Sequence, residues 1–310
     1  MMRGLVAARM EGTDMEVMIF GARGSHCVSG QEFVKYGGLT TCVAIKTKKF
    51  WIVFDAGMGL VEAGKRIVAD PDNITDIFIF LSHLHNDHIE GINFFPPLYM
   101  GNFNIHISGF GESSQVLLER ISTTFSPPYF PLALGELKSQ LETTVIGEDE
   151  VIVFDDDEGS WVLRNVFRDP FAKGHFSVSN WYHPSHPRDG VLLFKLNYGG
   201  KVVIFATDVE LYGAGQDRRV ERLCQDADVV IMDATYTDEQ YFNPDYVVQG
   251  YGHSFHSAVI GLAERCNVKH LRFHHHDPTA TDDHLDQVDA KLKALHPEWG
   301  VAKGNEIIEI

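Results

Sequence analysis

Apolar runs of strand length alternate along this chain with segments whose apolar residues have helical spacing. Continuous apolar runs at residues 50–54, 77–81, 202–206 and 229–232 are typical of strands buried on both faces. Further strands are predicted at 16–20, 42–45, 104–108, 151–154, 161–166 and 191–196. Helical spacing predicts helices at 60–69, 113–121, 132–141, 255–266 and 285–295. The alternation predicts an α/β fold, with no internal repeat and no dividing linker.

Length and cysteine usage limit the class of protein. The 310 residues suffice for one large domain, which we expect to span residues 15–310. Residues 1–14 lack the apolar core of a signal peptide, and we expect them to be disordered. No apolar run is long enough to span a membrane. Four scattered cysteines without a C-x-x-C pair predict free thiols and a cytoplasmic protein.

The charge balance is strongly acidic. Lysine and arginine number 26 against 43 aspartates and glutamates, which gives a formal net charge of −17. Tight binding of nucleic acid depends on basic residues that neutralise phosphates, so this balance argues against a nucleic-acid partner and favours a small-molecule substrate. Part of the charge lies in consecutive acids at 155–158 between two predicted strands, interpreted as a solvated hairpin turn. The oligomeric state is not fixed by the sequence, and a homodimer is left open.

The densest candidate chemistry directly follows the apolar run at 77–81. Four side chains of metal-ligating type, those of His83, His85, Asp87 and His88, occur within a single short loop. His83 and His85 are two residues apart, so in extended backbone they point to the same side. The loop can therefore offer two imidazoles to one metal, and a carboxylate plus an imidazole to a second, as two-metal hydrolytic sites require.

Two later strands also end in an aspartate. Asp208 follows the run at 202–206, and Asp233 follows the run at 229–232. A carboxylate at a strand end has two oxygens and can bridge two cations, which is what a binuclear site needs. Asp55 ends the run at 50–54 in the same way, and its plainer role is to accept hydrogen bonds from nearby backbone amides.

Three further segments offer histidines. His183 and His186 each precede a proline, which biases them toward extended backbone, shortly before a predicted strand. His253 stands in a Gly-His-Ser segment at the start of a helical pattern. Consecutive histidines at 274–276 end another apolar segment.

The pattern His-x-His-x-Asp-His at 83–88 resembles the signature of the metallo-β-lactamase superfamily. The resemblance implies an αββα sandwich, in which two mixed β-sheets are flanked by helices and a one- or two-metal hydrolytic site lies at one rim. The later motifs resemble, in sequence order, those of the branch of this superfamily that contains tRNA 3′-processing endonucleases and cyclic-nucleotide phosphodiesterases. That branch implies seven metal ligands here, namely His83, His85, Asp87, His88, His186, Asp208 and His275.

The same resemblance implies a role for each of these residues. It gives His83, His85 and His186 to one metal and Asp87, His88 and His275 to the other, with Asp208 as the bridge. His183 stays open as the alternative to His186. Asp55 and Asp233 are expected to support the site without binding metal. Asp87 and His253 are the expected catalytic residues. The role of His253 follows from the resemblance, since in that branch a histidine in a Gly-His-Ser context lies beside the scissile phosphate as proton donor.

The expected function is that of a binuclear hydrolase of a small phosphodiester, such as a cyclic nucleotide. The thiolate-free set of ligands suits two zinc ions, with manganese or iron as alternatives. Two other functions compete: a lactonase or β-lactamase-like hydrolase, and a non-catalytic metal-binding or redox protein. The redox alternative resembles flavodiiron proteins, which usually have a glutamate where this chain has His85. The acidic charge, and a sequence without a basic glycine-rich arm, argue against tRNA processing.

Overall fold

The strands form two facing sheets in the computed structural model, which describes residues 15–169, 175–213 and 217–310. The predicted disorder of residues 1–14 lies outside the described residues. No helix in these ranges combines the length and apolar character needed to cross a membrane.

The first sheet is built mainly from the N-terminal half of the chain. Its order is β15-β1-β2-β3-β4-β5-β6, and β3 to β6 run parallel to one another. Every residue of β3 is buried, as expected of a strand covered on both faces. The strands are β1 (Glu16–Gly21), β2 (Cys42–Lys46), β3 (Phe50–Phe54), β4 (Asp76–Phe80), β5 (Asn104–Gly109), β6 (Gln140–Val145) and β15 (Glu306–Glu309).

The second sheet is built from the C-terminal half. Its order is β14-β13-β12-β11-β10-β9-β7-β8, with β11 to β14 parallel and the remaining pairs antiparallel. The strands are β7 (Glu150–Asp155), β8 (Ser160–Asn165), β9 (Phe176–His183), β10 (Val191–Tyr198), β11 (Lys201–Ala206), β12 (Val229–Asp233), β13 (His270–His274) and β14 (Trp299–Val301).

Helices cover the outer faces of the two sheets. The apolar residues Leu60, Ala63 and Ile67 of α1 pack against the first sheet. Leu262 of α6 and Leu292 of α7 pack against the second. The helices are α1 (Gly59–Val68), α2 (Asn86–Ile89), α3 (Ser114–Ser122), α4 (Arg218–Cys224), α5 (Asp238–Tyr241), α6 (His256–Arg265) and α7 (Asp282–Leu295). Short 3₁₀ turns lie at Gln31–Phe33, Ile92–Phe94, Pro96–Tyr99 and Leu134–Glu136.

An aromatic core joins the two sheets. Phe54 of β3 stacks on Phe205 of β11 with ring centroids 5.5 Å apart, and on Phe194 of β10 at 5.6 Å. All three rings are fully buried. Truncation of one such ring to alanine would cost about 3–5 kcal/mol. This packing holds the strand ends of both sheets in fixed positions at the rim where the candidate site lies.

The helix predicted at 132–141 is wrong. The segment contains only the 3₁₀ turn Leu134–Glu136, and β6 begins at Gln140. The Gln140 amide donates to the Phe103 carbonyl at 3.1 Å, and β6 then pairs in parallel with β5. Backbone pairing along the edge of β5 therefore outweighs the local helical spacing, as tertiary context often does.

The acidic run at 155–158 is confirmed as the turn of a hairpin, formed by β7 and β8. Asp155 accepts hydrogen bonds from two backbone amides within the turn. Asp156 differs from the prediction, because it is buried rather than solvated. It accepts from the Thr47 hydroxyl at 2.7 Å and from the Lys48 amide at 3.0 Å, and so ties this hairpin to the loop between β2 and β3.

Candidate metal centre

Strand ends from both sheets meet at one rim of the sandwich. Asp55 directly follows β3, and the loop after β4 carries His83. From the second sheet, Asp208 follows β11 and His275 directly follows β13. Carboxyl ends of parallel strands share an edge, so residues distant in sequence converge there.

Asp55 fixes the histidine loop after β4. Its side chain is fully buried and accepts hydrogen bonds from the Ser82 amide at 2.6 Å and the Ser82 hydroxyl at 2.7 Å. Its Oδ2 also lies 2.7 Å from Nδ1 of His88. A bond at Nδ1 sets the orientation of an imidazole, so Nε2 of His88 is turned toward the candidate site.

Three buried side chains form one cluster, called the His88 half: Asp87, His88 and His275. Oδ2 of Asp87 lies 3.3 Å from Nε2 of His88 and 3.2 Å from Nε2 of His275. The Ser25 amide donates to the same oxygen at 2.7 Å. A Cβ on Gly24 would come within 2.3 Å of the His275 ring, so only glycine lets this loop close over the His88 half.

Three imidazoles form a second cluster, called the His83 half: His83, His85 and His186. Nδ1 of His85 lies 2.9 Å from Nε2 of His186, and the ring centroids of His83 and His85 are 4.4 Å apart. His83 and His186 are buried, whereas His85 is exposed. This half therefore opens to solvent at His85.

Asp208 lies between the two halves. Its Oδ1 is 3.3 Å from Nε2 of His88 and 3.3 Å from Nε2 of His275. Its Oδ2 is 3.6 Å from Nε2 of His83 and 3.6 Å from Nε2 of His186. Each carboxylate oxygen thus faces one half, which is the arrangement of a carboxylate that can bridge two cations.

The arrangement of donor atoms fits metal ions. Nε2 of His83 and Nε2 of His88 are buried, and in the described part of the chain neither makes a hydrogen bond of good geometry, although carboxylate oxygens lie 3.3–3.6 Å away. Leaving a buried polar group unpaired costs about 1–3 kcal/mol. A metal in each half would satisfy these nitrogens, and imidazole with carboxylate suits divalent transition metals.

The two halves differ in electrostatics. Burial lowers the pKa of His83 well below its ordinary value and lowers the pKa of His186 to about 4. Burial alone would also lower the pKa of His88, but Asp208, Asp87 and Asp55 raise it well above the ordinary value. Without metal, a proton on His88 thus offsets the buried carboxylates, while His83 and His186 are neutral.

His253 lies against both halves. Its ring stacks on His275 with centroids 4.7 Å apart and lies 5.3 Å from the ring of His186. Its Nδ1 is 2.7 Å from Oδ2 of Asp233. Burial would lower the pKa of His253, but Asp233, with Asp208 and Asp87 behind it, raises this pKa to about 9. The helix α6 begins at His256, so His253 precedes its first turn rather than lying in it.

The other candidate histidines lie outside this cluster. Nε2 of His183 is 2.5 Å from Asp217, and its Nδ1 is 2.8 Å from the Ser185 hydroxyl. The structure therefore brings His186, not His183, next to His83 and His85. Nε2 of His274 lies 2.9 Å from the Gly21 carbonyl, and Nε2 of His276 lies 2.9 Å from the Ala302 carbonyl.

Sequence reasoning missed two supports of the site. The first is the Gly24–Ser25 turn over the His88 half, for which the only sequence signal was a pair of glycines after the first strand. The second is Glu210, a buried carboxylate that accepts from the amides of Gly250 and Gly252 at 2.8 and 3.0 Å. It fixes the segment that leads into His253, and no local pattern marks it.

Comparison with known proteins identifies the family. A family profile described as "Beta-lactamase superfamily domain" matches residues 50–276, which is more than half of the chain. The chain belongs to the beta-lactamase superfamily. The matched residues include the histidine loop, Asp208 and His275.

Individual relatives agree with this membership. The chain is 27% identical over 260 residues to ribonuclease Z of Thermococcus kodakarensis, which covers 75% of this chain and 77% of the relative. Among solved structures, the metallo-beta-lactamase fold protein YhfI from Bacillus subtilis has a TM-score of 0.63 at 15% identity, covering 96% of this chain and 100% of that one. A diphosphatase of the PhnP family has a TM-score of 0.61 at 14% identity, covering 96% and 98%.

Membership confirms several expectations. The two mixed sheets flanked by helices are those of the superfamily fold, and the protein is a hydrolase of the beta-lactamase superfamily. Its histidine and aspartate clusters suit the metal dependence typical of the superfamily. One expectation is weakened: the match to a relative named ribonuclease Z weighs against the argument that the acidic charge disfavours a nucleic-acid partner.

Proposed function

We propose that this superfamily member is a binuclear metal-dependent phosphodiesterase that acts on a small phosphodiester, such as a cyclic nucleotide. The observation that carries the proposal is the position of Asp208, whose two oxygens face separate clusters at 3.3 and 3.6 Å. One metal ion would be held by the His83 half and one by the His88 half, with Asp208 shared between them. Zinc fits this donor set best, with manganese or iron as alternatives.

Two bound divalent ions would supply Lewis acidity, which lowers the pKa of a water from about 15.7 toward roughly 7 and offsets the charge that builds on the phosphate. The chain's own residues hold and orient the reacting groups. Asp55 and Asp233 fix the rings of His88 and His253 through bonds at Nδ1. Because Nδ1 of His253 faces Asp233, its Nε2 is the atom that can pass a proton to the departing oxygen.

The position of His253 favours hydrolysis at the phosphorus of a phosphodiester over hydrolysis at a carbonyl carbon. An alkoxide that leaves a phosphodiester needs a proton, and a buried imidazole held by a carboxylate can supply one. His253 stacks on His275, so it borders the space in which a substrate at both halves would lie. The name of the 27% identical relative, ribonuclease Z, is in line with phosphodiester chemistry.

Hydrolysis of an RNA phosphodiester is the second candidate. It is favoured by the relative named ribonuclease Z. The net charge of −17 opposes it, because an acidic protein repels a polyanion over long distances. A small diester with one phosphate is far less sensitive to that repulsion.

A panel of substrates tests the proposal. Purified, metal-loaded protein is assayed with bis(p-nitrophenyl) phosphate, a cyclic nucleotide, a 3′-extended precursor tRNA, a lactone and a β-lactam, and the Asp208→Asn variant serves as control. We expect turnover of the small phosphodiesters that is lost in the variant. Turnover of the precursor tRNA at far higher kcat/KM would favour the second candidate, and turnover of the lactone or β-lactam alone would refute phosphodiester chemistry.

A further inference from the structure

A cleft of about 90 Å³ adjoins the exposed side of the His83 half. Its lining includes His83 and His85 together with Phe110 and Arg120. A group attached to a phosphate that lies against His83 and His85 can extend into this cleft, because both histidines line it. Its lining therefore bears on which substrates the site accepts.

Phe110 is placed as an aromatic platform rather than as a core residue. It directly follows β5, and 41% of it is exposed. Its ring stacks on the ring of Tyr182, with centroids 5.7 Å apart and planes at 22°. One face of Phe110 is thus supported by protein, and the exposure of the residue leaves ring surface available in the cleft.

The position of the supporting ring is fixed as well. Tyr182 lies so close to Gly190 that a Cβ on Gly190 would come within 2.5 Å of the ring, and Gly190 has a φ of +76°. Only glycine tolerates both conditions without strain. The Phe110–Tyr182 pair is therefore preorganised, which lowers the entropic cost of stacking a third ring on it.

A cationic and an anionic side chain line the cleft beside the platform. Arg120 supplies guanidinium donors and is held by Glu112, whose carboxylate oxygens lie 3.2 and 3.0 Å from its Nη2. Asp189, which also lines the cleft, supplies acceptors. The edge of a nucleobase carries donors and acceptors, and its face stacks on aromatic side chains. An alkyl or lactone substituent can use neither feature fully.

We propose that this cleft is a nucleobase subsite, in which Phe110 is the stacking platform. The inference rests on the proposed function and narrows its substrate to phosphodiesters that carry a nucleobase next to the scissile phosphate. Base-on-aromatic stacking accounts for roughly 5- to 150-fold in affinity per base.

The test compares binding of AMP with binding of ribose 5-phosphate, which carries the phosphate and sugar without the base. Calorimetric titration of the metal-loaded protein is carried out on the wild type, Phe110→Leu, Phe110→Trp and Phe167→Leu. Phe167 is 85% exposed and is not part of the lining of the cleft, so it provides a matched control for the same substitution.

We expect the wild type to bind AMP more tightly than ribose 5-phosphate. Phe110→Leu should weaken AMP binding by roughly 5- to 150-fold and leave ribose 5-phosphate unchanged. Phe110→Trp and Phe167→Leu should retain the preference for AMP. Equal binding of the two ligands by the wild type, or an equal loss of both in Phe110→Leu, would overturn the inference.

Failure of the nucleobase subsite can be distinguished from failure of the proposed reaction. A protein that binds AMP through Phe110 but hydrolyses no phosphodiester would refute the reaction and leave the subsite standing. A protein that hydrolyses 2′,3′-cyclic AMP and glycerol 1,2-cyclic phosphate equally well, with no effect of Phe110→Leu on either, would retain the reaction and refute the subsite.

Discussion

The two halves of the candidate metal centre have similar ligands in opposite environments. All three residues of the His88 half, Asp87, His88 and His275, are buried, and the Gly24–Ser25 turn packs against them. The His83 half is open at His85 and continues into the cleft beside Phe110. The enclosed half is suited to holding a metal, and the open half to receiving a substrate.

The halves also differ in how their imidazoles are oriented. In the His88 half, the Nδ1 of His88 is tied to the buried carboxylate of Asp55 at 2.7 Å. In the His83 half, Nδ1 of His83 lies 3.0 Å from the Ser82 hydroxyl, and Nδ1 of His186 lies 3.3 Å from the Gly252 carbonyl. Bonds to a charged acceptor are stronger than bonds to neutral ones, so the ring of His88 is held more rigidly than the rings of His83 and His186.

The largest effect is expected where the two halves meet. Asp208→Ala should remove the one carboxylate that faces both, and activity should fall to background. Asp233→Ala should cost only about 10–100-fold, because Asp233 supports His253 and His275 from behind. Steady-state rates of both variants on one phosphodiester provide the comparison, with circular dichroism as the control for folding. Equal losses in two folded variants would mean that the strand-end acids have been assigned wrongly.

His253→Ala should follow in size. His253 contacts ligands of both halves but is expected to bind neither metal, so metal content should be retained. The rate should fall by about 10²–10⁴-fold for a substrate with an alkoxide leaving group, and little for one with a nitrophenolate. The measurement is the ratio of wild-type to variant rates across phosphodiesters of rising leaving-group pKa. A ratio that does not change with leaving group would show that His253 positions substrate instead of donating a proton.

His88→Ala and His85→Ala should separate the halves. Each should lower metal content from about two ions per chain toward one, as measured by elemental analysis. In metal-free protein, His88→Ala should also cost about 1–3 kcal/mol in the free energy of unfolding, because it leaves the buried Asp55 carboxylate without its imidazole. His85 is exposed and bonds to the imidazole of His186 rather than to a buried carboxylate, so His85→Ala should cost less stability than His88→Ala. The same loss of stability in both variants would contradict the difference between the halves.

The smallest effect is expected outside both halves. His183→Ala should change neither metal content nor kcat/KM by more than about twofold, because His183 is paired with Asp217. His186→Ala, its matched counterpart three residues later, should lose metal from the His83 half. Metal loss in His183→Ala with retention in His186→Ala would reverse the assignment of the third imidazole.

Much of the fold and the candidate site could be predicted because both depend on short local patterns. The run 77–81 predicts the central strand β4, and the histidines that follow it belong to one loop, so their proximity is a local property. Asp208 and His275 were expected as ligands from the resemblance to the family, applied to residues that follow predicted strands. The structure places Nε2 of His275 3.2 Å from Oδ2 of Asp87, and Oδ1 of Asp208 3.3 Å from Nε2 of His88, only because two separate sheets pack face to face.

The features that escaped prediction depend on tertiary contacts. The segment 132–141 has helical spacing, but β6 forms because the edge of β5 is available for backbone pairing. Asp156 belongs to an exposed-looking acidic run, yet it is buried by bonds to Thr47 and Lys48 far away in the sequence. Glu210 and the Ser25 amide support the site through a few long-range hydrogen bonds, which leave no periodic signal in the chain.

The central claim is that Asp208 is shared between two metal ions. Its most direct test is anomalous diffraction from crystals of wild-type protein purified without chelators, collected at the absorption edge of the metal found by elemental analysis. The account predicts two peaks, one on the Oδ2 side of Asp208 among His83, His85 and His186, and one on the Oδ1 side among Asp87, His88 and His275. A single peak, or none, in crystals of active protein would contradict it.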